Sequence, residues 1–172
     1  MGILRNRGND DDNDLRRFQM REKLFSIGDD YWIEDDQGNR AFRVNGKALR
    51  ARSTFKLEDT SGQEVASIQE RKLSVRDKIA IERDGRSVAT IHKALVGIRD
   101  RFAIDVDDGA DLKVRGNVVD HEYEIERNGD RVAQISKRWF RVRDTYGVEV
   151  EPGEDVGLVL AVTVALESMT ED

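Results

Sequence analysis

The chain has 172 residues, enough for one domain with a substantial core, and 37% of them are charged, with 35 Asp+Glu against 29 Lys+Arg for a net charge of -6. That balance excludes a nucleic-acid binder held by a broad basic surface, because neutralising phosphates takes an excess of Lys and Arg. Cysteine is absent, which removes disulfides, thiol nucleophiles and thiolate metal sites and is in keeping with a reducing cytosol.

In chain order, residues 1–19 read as a disordered charged tail that includes Asp10-Asp11-Asp12-Asn13-Asp14 and has no apolar run suited to a secretory signal. An opening strand is expected near Met20–Phe25. A repeat then begins. Six segments place an aromatic or Ile two positions before a second apolar residue and follow it with an acid: Tyr31–Glu34, Phe55–Glu58, Ile79–Glu82, Phe102–Asp105, Tyr123–Glu126 and Tyr146–Glu149. Their starts lie 24, 24, 23, 21 and 23 residues apart. Period-two patterning makes each a strand with one buried face.

Polar turns ending in Gly38, Gly62, Gly85, Gly109 and Gly129 follow five of the six. Asp-Gly and Asn-Gly supply the positive φ that tight hairpins demand. Return strands start three residues on, at Ala41, Val65, Val88, Leu112 and Val132, and three continue alike as Val65-Ala66-Ser67-Ile68, Val88-Ala89-Thr90-Ile91 and Val132-Ala133-Gln134-Ile135. Ala and Ile there share a face that is expected inward, the small Ala leaving room for something thick in the middle. Five hairpins, the opening strand and a last strand at Tyr146–Val150 make 12 strands, and closing them into a barrel removes the exposed edges. Pro152-Gly153 then turns the chain into Asp155–Met169, whose run Val156–Leu166 is apolar on all sides. That is the pattern of a helix buried on all sides, about 22 Å long at 1.5 Å per residue and suited to the bore of a barrel; the many valines leave a thirteenth strand as the alternative, which the length and the capping residues disfavour. Glu154 or Asp155 is placed to cap it. The whole is a mainly β domain over residues 20–172, a 12-stranded antiparallel closed barrel around a C-terminal helix. The apolar run is too short to span a membrane, and a soluble, cytoplasmic protein is expected.

Read together, Met20–Phe25, Tyr31-Trp32-Ile33, Val44-Asn45-Gly46-Lys47-Ala48-Leu49, Val119-Asp120-His121-Glu122-Tyr123, Ser136-Lys137-Arg138-Trp139-Phe140 and Arg143–Val148 resemble the LURP-one-related family of the Tubby C-terminal-like superfamily, over roughly residues 20–169. The resemblance implies the same helix-threaded 12-stranded barrel. That superfamily includes phosphoinositide-binding domains and phospholipid scramblases, but no lipid-contacting motif of theirs maps onto this chain residue by residue.

Chemistry-bearing motifs are few. His92 and His121 lack a partner signature nearby and read as structural. Asp105–Asp111 has the look of a calcium loop, but its twelfth position is Gly116 where a bidentate Glu is needed, so it reads as a hairpin turn. No catalytic residue, metal site or cofactor is expected. The best binding candidate is Lys137-Arg138-Trp139-Phe140-Arg141-Val142-Arg143, where strand alternation would set Lys137, Trp139 and Arg141 on one face and Arg138, Phe140 and Val142 on the other. Alternate turns of an up-and-down barrel fall at opposite ends. The Asp/Gly turns, with Asp35, Asp36, Asp59, Asp84, Asp107, Asp108 and Asp130, would share one rim. The other would gather Arg50, Arg52, Arg76, Lys78, Arg99, Arg101, Arg141 and Arg143, partly offset by Asp77, Asp100 and Asp144. Arg52, Arg76, Arg99, Lys137, Arg138, Trp139, Arg141 and Arg143 are the candidate residues for an anionic lipid surface or a protein partner; the competing readings are that Phe140 and Val142 pack inward under solvated charges and that the rim arginines pair locally with the Asp of their own turns, with no functional meaning. The alternatives are an enzyme of hydrolase or nucleotide-handling type with no site visible in the residues, and a self-associating structural protein. The Asp-rich, Lys-poor composition, with 21 Asp and 8 Lys, is that expected of a salt-adapted prokaryotic cytosol.

Overall fold

A computed structural model describes residues 14–22, 30–46, 54–71, 78–96, 99–139 and 143–170. Twelve strands run β1 Arg16–Arg21, β2 Tyr31–Asp35, β3 Arg40–Asn45, β4 Thr54–Asp59, β5 Glu64–Arg71, β6 Lys78–Arg83, β7 Arg86–Val96, β8 Arg99–Val106, β9 Leu112–Asn117, β10 Glu122–Arg127, β11 Asp130–Ser136 and β12 Thr145–Val150, followed by helix α1, Val156–Thr170. Each strand pairs antiparallel with its sequence neighbours, and β1 pairs with β12 to close the barrel. The opening strand thus lies earlier than the sequence suggests. The alternation Phe18-x-Met20 points both side chains inward, opposite Val148 and Tyr146 of β12, and residues 16–19 belong to the barrel wall.

All five hairpin glycines adopt positive φ. Asp84-Gly85 and Asn128-Gly129 have φ of 50° and 73°, and 53° and 88°, the double left-handed geometry of a type I′ turn, which only short polar residues and glycine tolerate cheaply. The longer turns at Asp35 and Asp59 are built alike: each carboxylate accepts two backbone N–H groups, from Gln37 and Asn39 and from Ser61 and Gln63.

The repeat also hides an irregularity. Register shifts fall after Ile33, Leu57, Ile81 and Ile125, so that Ala41, Val65, Val88 and Val132 are each the extra residue of a β-bulge. That explains why the return strands begin with two consecutive apolar residues. The bulge residues also pack against the core, Val132 fully and Ala41, Val65 and Val88 in part, while Ala66, Ala89 and Ala133 point inward and are fully buried.

The small inward residues make room for α1, which is buried from Val156 through Glu167 and again at Met169. Asp155 caps its N-terminus by accepting the N–H of Leu158 at 3.0 Å. Three arginines from three strands hold the connector between β12 and α1: Arg83 grips Asp155 through two bonds of 2.6 and 2.8 Å, Arg127 bonds Glu154, and Arg131 bonds Glu151 at 2.7 Å. The Arg83 guanidinium holds the Asp155 carboxyl below the usual carboxylate range. At Gly157 the helix passes so close to the wall that a Cβ would come within 2.6 Å of the Val65 side chain.

Candidate functional site

The two barrel ends differ. The first carries the Asp/Gly turns and the start of α1, and three of its arginines, Arg83, Arg127 and Arg131, are engaged by the connector carboxylates, while Arg40 and Arg86 are exposed. The second end carries the starts of the even-numbered strands and the last turn of α1, where Lys93 of β7 donates to the Met169 carbonyl at 3.0 Å.

Just inside the second end lies a buried polar cluster. Glu167, the single charged residue of α1, hydrogen-bonds His121 Nε2 through its carboxylate. His121 is 6% exposed, has φ of 52°, and is turned inward by a loop in which Asp120 N–H bonds Asn117 Oδ1 and His121 N–H bonds the Val118 carbonyl. Its ring stacks on Tyr146 with centroids 4.3 Å apart. To bond a carboxylate, Nε2 must carry the imidazole proton. Burial first, and then the negative charge of Glu167, push the hydroxyls of both Tyr31 and Tyr123 above the ordinary tyrosine pKa, offset at Tyr123 by a hydrogen bond shared with Thr163. Among the described residues, Tyr31 Oη and His121 Nδ1 are buried with no hydrogen-bond partner.

These residues escape motif reading because they are scattered along the chain, yet the repeat carries a trace of them. Its first position is Tyr in β2, β10 and β12 and Phe or Ile in β4, β6 and β8. The three tyrosines, all that the chain has, lie on one arc of the barrel from β10 to β2. The lone acid of the apolar helix is the other half of that signal. An all-apolar rod has no preferred depth or rotation in an apolar bore; Glu167 at one end and Asp155 at the other supply both.

Of the candidate binding residues, Arg52, Arg76 and Arg141 lie outside the described residues, as do Phe140 and Val142. Arg99 opens β8, and its side chain is outside the described set too. Strand alternation does not hold at Lys137–Trp139, which form a 3-10 turn packed against β12. The reason is local: Ser136 Oγ accepts the Arg138 N–H, and the Glu122 carboxylate accepts both the Ser136 hydroxyl and the Lys137 N–H, which ends the strand at Ser136. Lys137 pairs with Glu22 at 2.9 Å, and the Arg17 guanidinium sits 5.8 Å from the centre of the Trp139 ring. Arg138 is the outlying one, with its side chain 84% exposed. Arg143 is exposed at the turn into β12.

A closed antiparallel barrel of 12 strands threaded by a buried C-terminal helix is the Tubby C-terminal-like architecture. It superimposes with a TM-score of 0.69 on a crystal structure of a protein from Arabidopsis thaliana, at 16% identity and covering 92% of this chain and 93% of that one. The LURP-one-related family model matches residues 16–167, and the chain belongs to that family. No curated protein matches it.

Proposed function

We propose that this protein is a non-enzymatic binding module that meets an anionic partner with the second end of its barrel, an acidic-headgroup membrane surface being the partner to test first. The observation that carries the reading is the occupied bore. With α1 buried along its length, recognition belongs on the outside. The outside is polarised: at the first end Arg83, Arg127 and Arg131 are held by carboxylates and the exposed Arg40 and Arg86 sit among the exposed Asp36, Asp84, Asp107, Asp108 and Asp130, whereas the second carries the exposed Arg101, Arg138 and Arg143. Such asymmetry orients a protein of net negative charge against a negative surface. The His121–Glu167 pair, 6% and 4% exposed, is out of reach of a substrate and supports a structural part for it. No helix among the described residues is long and apolar enough to cross a membrane, so the contact proposed is peripheral. A cytoplasmic location accords with the cysteine-free composition.

The test is flotation with phosphatidylserine-containing vesicles at low salt. Binding should weaken about fivefold for each of Arg138→Gln and Arg143→Gln, in line with about 1 kcal/mol per basic residue near the surface, and fade with salt. Asp84→Asn, at the opposite end, should leave it unchanged. Failure of the wild-type chain to float would dispose of the membrane reading.

A further inference from the structure

Among the described residues only two large apolar side chains are exposed, Leu15 at 42% and Val119 at 61%. Leu15 stands just before β1 at the first end, whereas Val119 stands at the tip of the β9–β10 turn at the second. The His121 N–H closes that turn by bonding the Val118 carbonyl at 3.1 Å, which places Val119 and Asp120 at its two corners. Turn corners favour glycine, proline and short polar residues, and the hairpins of the first end keep to polar residues and glycine. A branched apolar residue at this corner serves neither the turn nor the core, for it is the neighbouring Val118 that is buried.

The tip is also rigidly mounted. Asn117 donates its side-chain amide to the Asp120 carboxylate at 2.6 Å and accepts the Asp120 N–H, which bends the acid beside Val119 back onto the base of the turn. His121, the last residue of the turn, reaches inward to Glu167 of α1. Glu122, the first residue of β10, accepts the Ser136 hydroxyl and the Lys137 N–H and lies 3.8 Å from the Arg138 guanidinium. One carboxylate thus ties the β9–β10 turn to the segment that follows β11, and it sets the 84% exposed Arg138 side chain beside the base of the turn.

We infer that Val119 is the apolar anchor of the second end, entering the acyl layer of an anionic membrane while Arg138 meets the headgroups around it. The inference rests on the membrane reading and adds to it the residue that leaves the water. A cation beside an apolar tip fits a bilayer with acidic headgroups, because the guanidinium stays at headgroup depth while the valine passes below it. The turn is already held by its own hydrogen bonds and by His121. Insertion therefore has little left to order, and most of the gain from burying the valine is retained.

The chain has no cysteine, so a single thiol can carry a probe. Val119→Cys labelled with a nitrobenzoxadiazole dye is mixed with phosphatidylserine-containing vesicles at low salt. Its emission should shift to the blue and be quenched at least about twofold by lipids spin-labelled high on the acyl chain. The same dye on Leu15→Cys or Ser61→Cys, both at the first end, should show neither change. The uncharged variant Val119→Asn suits the turn and should bind the vesicles at least about fivefold more weakly than the native chain. Its melting temperature should match the native one, the side chain being exposed. If the native chain floats while the dye on Val119→Cys stays in water and Val119→Asn binds undiminished, the inference is overturned and the membrane reading stands. A native chain that does not float overturns both. A blue shift that grows with protein concentration in the absence of vesicles would place a second copy of the chain on the tip, and that too would overturn the inference.

Discussion

Glu167 is the residue on which the interior depends most. Replacing it with Leu leaves His121 Nε2 buried without an acceptor, a loss of about 1–3 kcal/mol by the usual cost of an orphaned polar group. Glu167→Gln keeps an acceptor and should lose less, and adding His121→Phe to Glu167→Leu should restore part of the loss; urea unfolding followed by tryptophan fluorescence measures all three. The tyrosines predict an alkaline limit. Tyr31 and Tyr123 have folded-state pKa values above the unfolded value, so the stabilisation is complete below about pH 10. It is lost as pH rises past that point, where the unfolded chain ionises and the folded one resists. Tyr31→Phe should flatten that decline in an unfolding series from pH 9 to 11. Gly116→Ala, which forces a Cβ against the β10 backbone at positive φ, should destabilise by about 2 kcal/mol or more.

At the scale of elements, the connector and its arginines decide how α1 is seated. Asp155 serves as both N-cap and partner of Arg83, and these separate by mutation. Asp155→Asn keeps the cap and loses the charge, whereas Asp155→Ala loses both and should cost about 1 kcal/mol more. Because the Asp155 pKa is depressed in the fold, its contribution is present above about pH 4 and is lost as pH falls through the folded value. The acid-unfolding slope below pH 4 should therefore be shallower in both variants. The elements were also where the sequence was most legible. The acid-terminated repeat marked six strands, five glycines marked the hairpins, and the unbroken apolar run marked the helix, because each is a local pattern with a period of its own. Less legible was whatever depends on two distant segments. The bulges at Ala41, Val65, Val88 and Val132 look like strand residues until their partners are known, and the 3-10 turn at Lys137–Trp139 is set by Glu122, fifteen residues from Lys137. The first strand begins a few residues earlier than its sequence suggests because Phe18 and Met20 acquire meaning only against β12.

For the molecule as a whole, the barrel is a solid object with two unlike ends. The charge excess of six acids predicts that KCl, by screening self-repulsion, raises the melting temperature as a salt-adapted protein requires. A melting temperature indifferent to or lowered by KCl would end that habitat proposal. The cluster around Glu167 was invisible as a site because its members come from α1, three strands and a loop, and only closure of the barrel assembles them. The claim on which the functional reading rests is that α1 occupies the bore, and the absence of native cysteine permits a direct test with a single thiol at mid-helix, Ala161→Cys, where the native side chain is fully buried. Against an exposed control, Ser61→Cys, the mid-helix thiol should react with a thiol reagent only as fast as the whole chain unfolds. Reaction at the rate of the control under native conditions would show α1 outside the barrel and contradict the account.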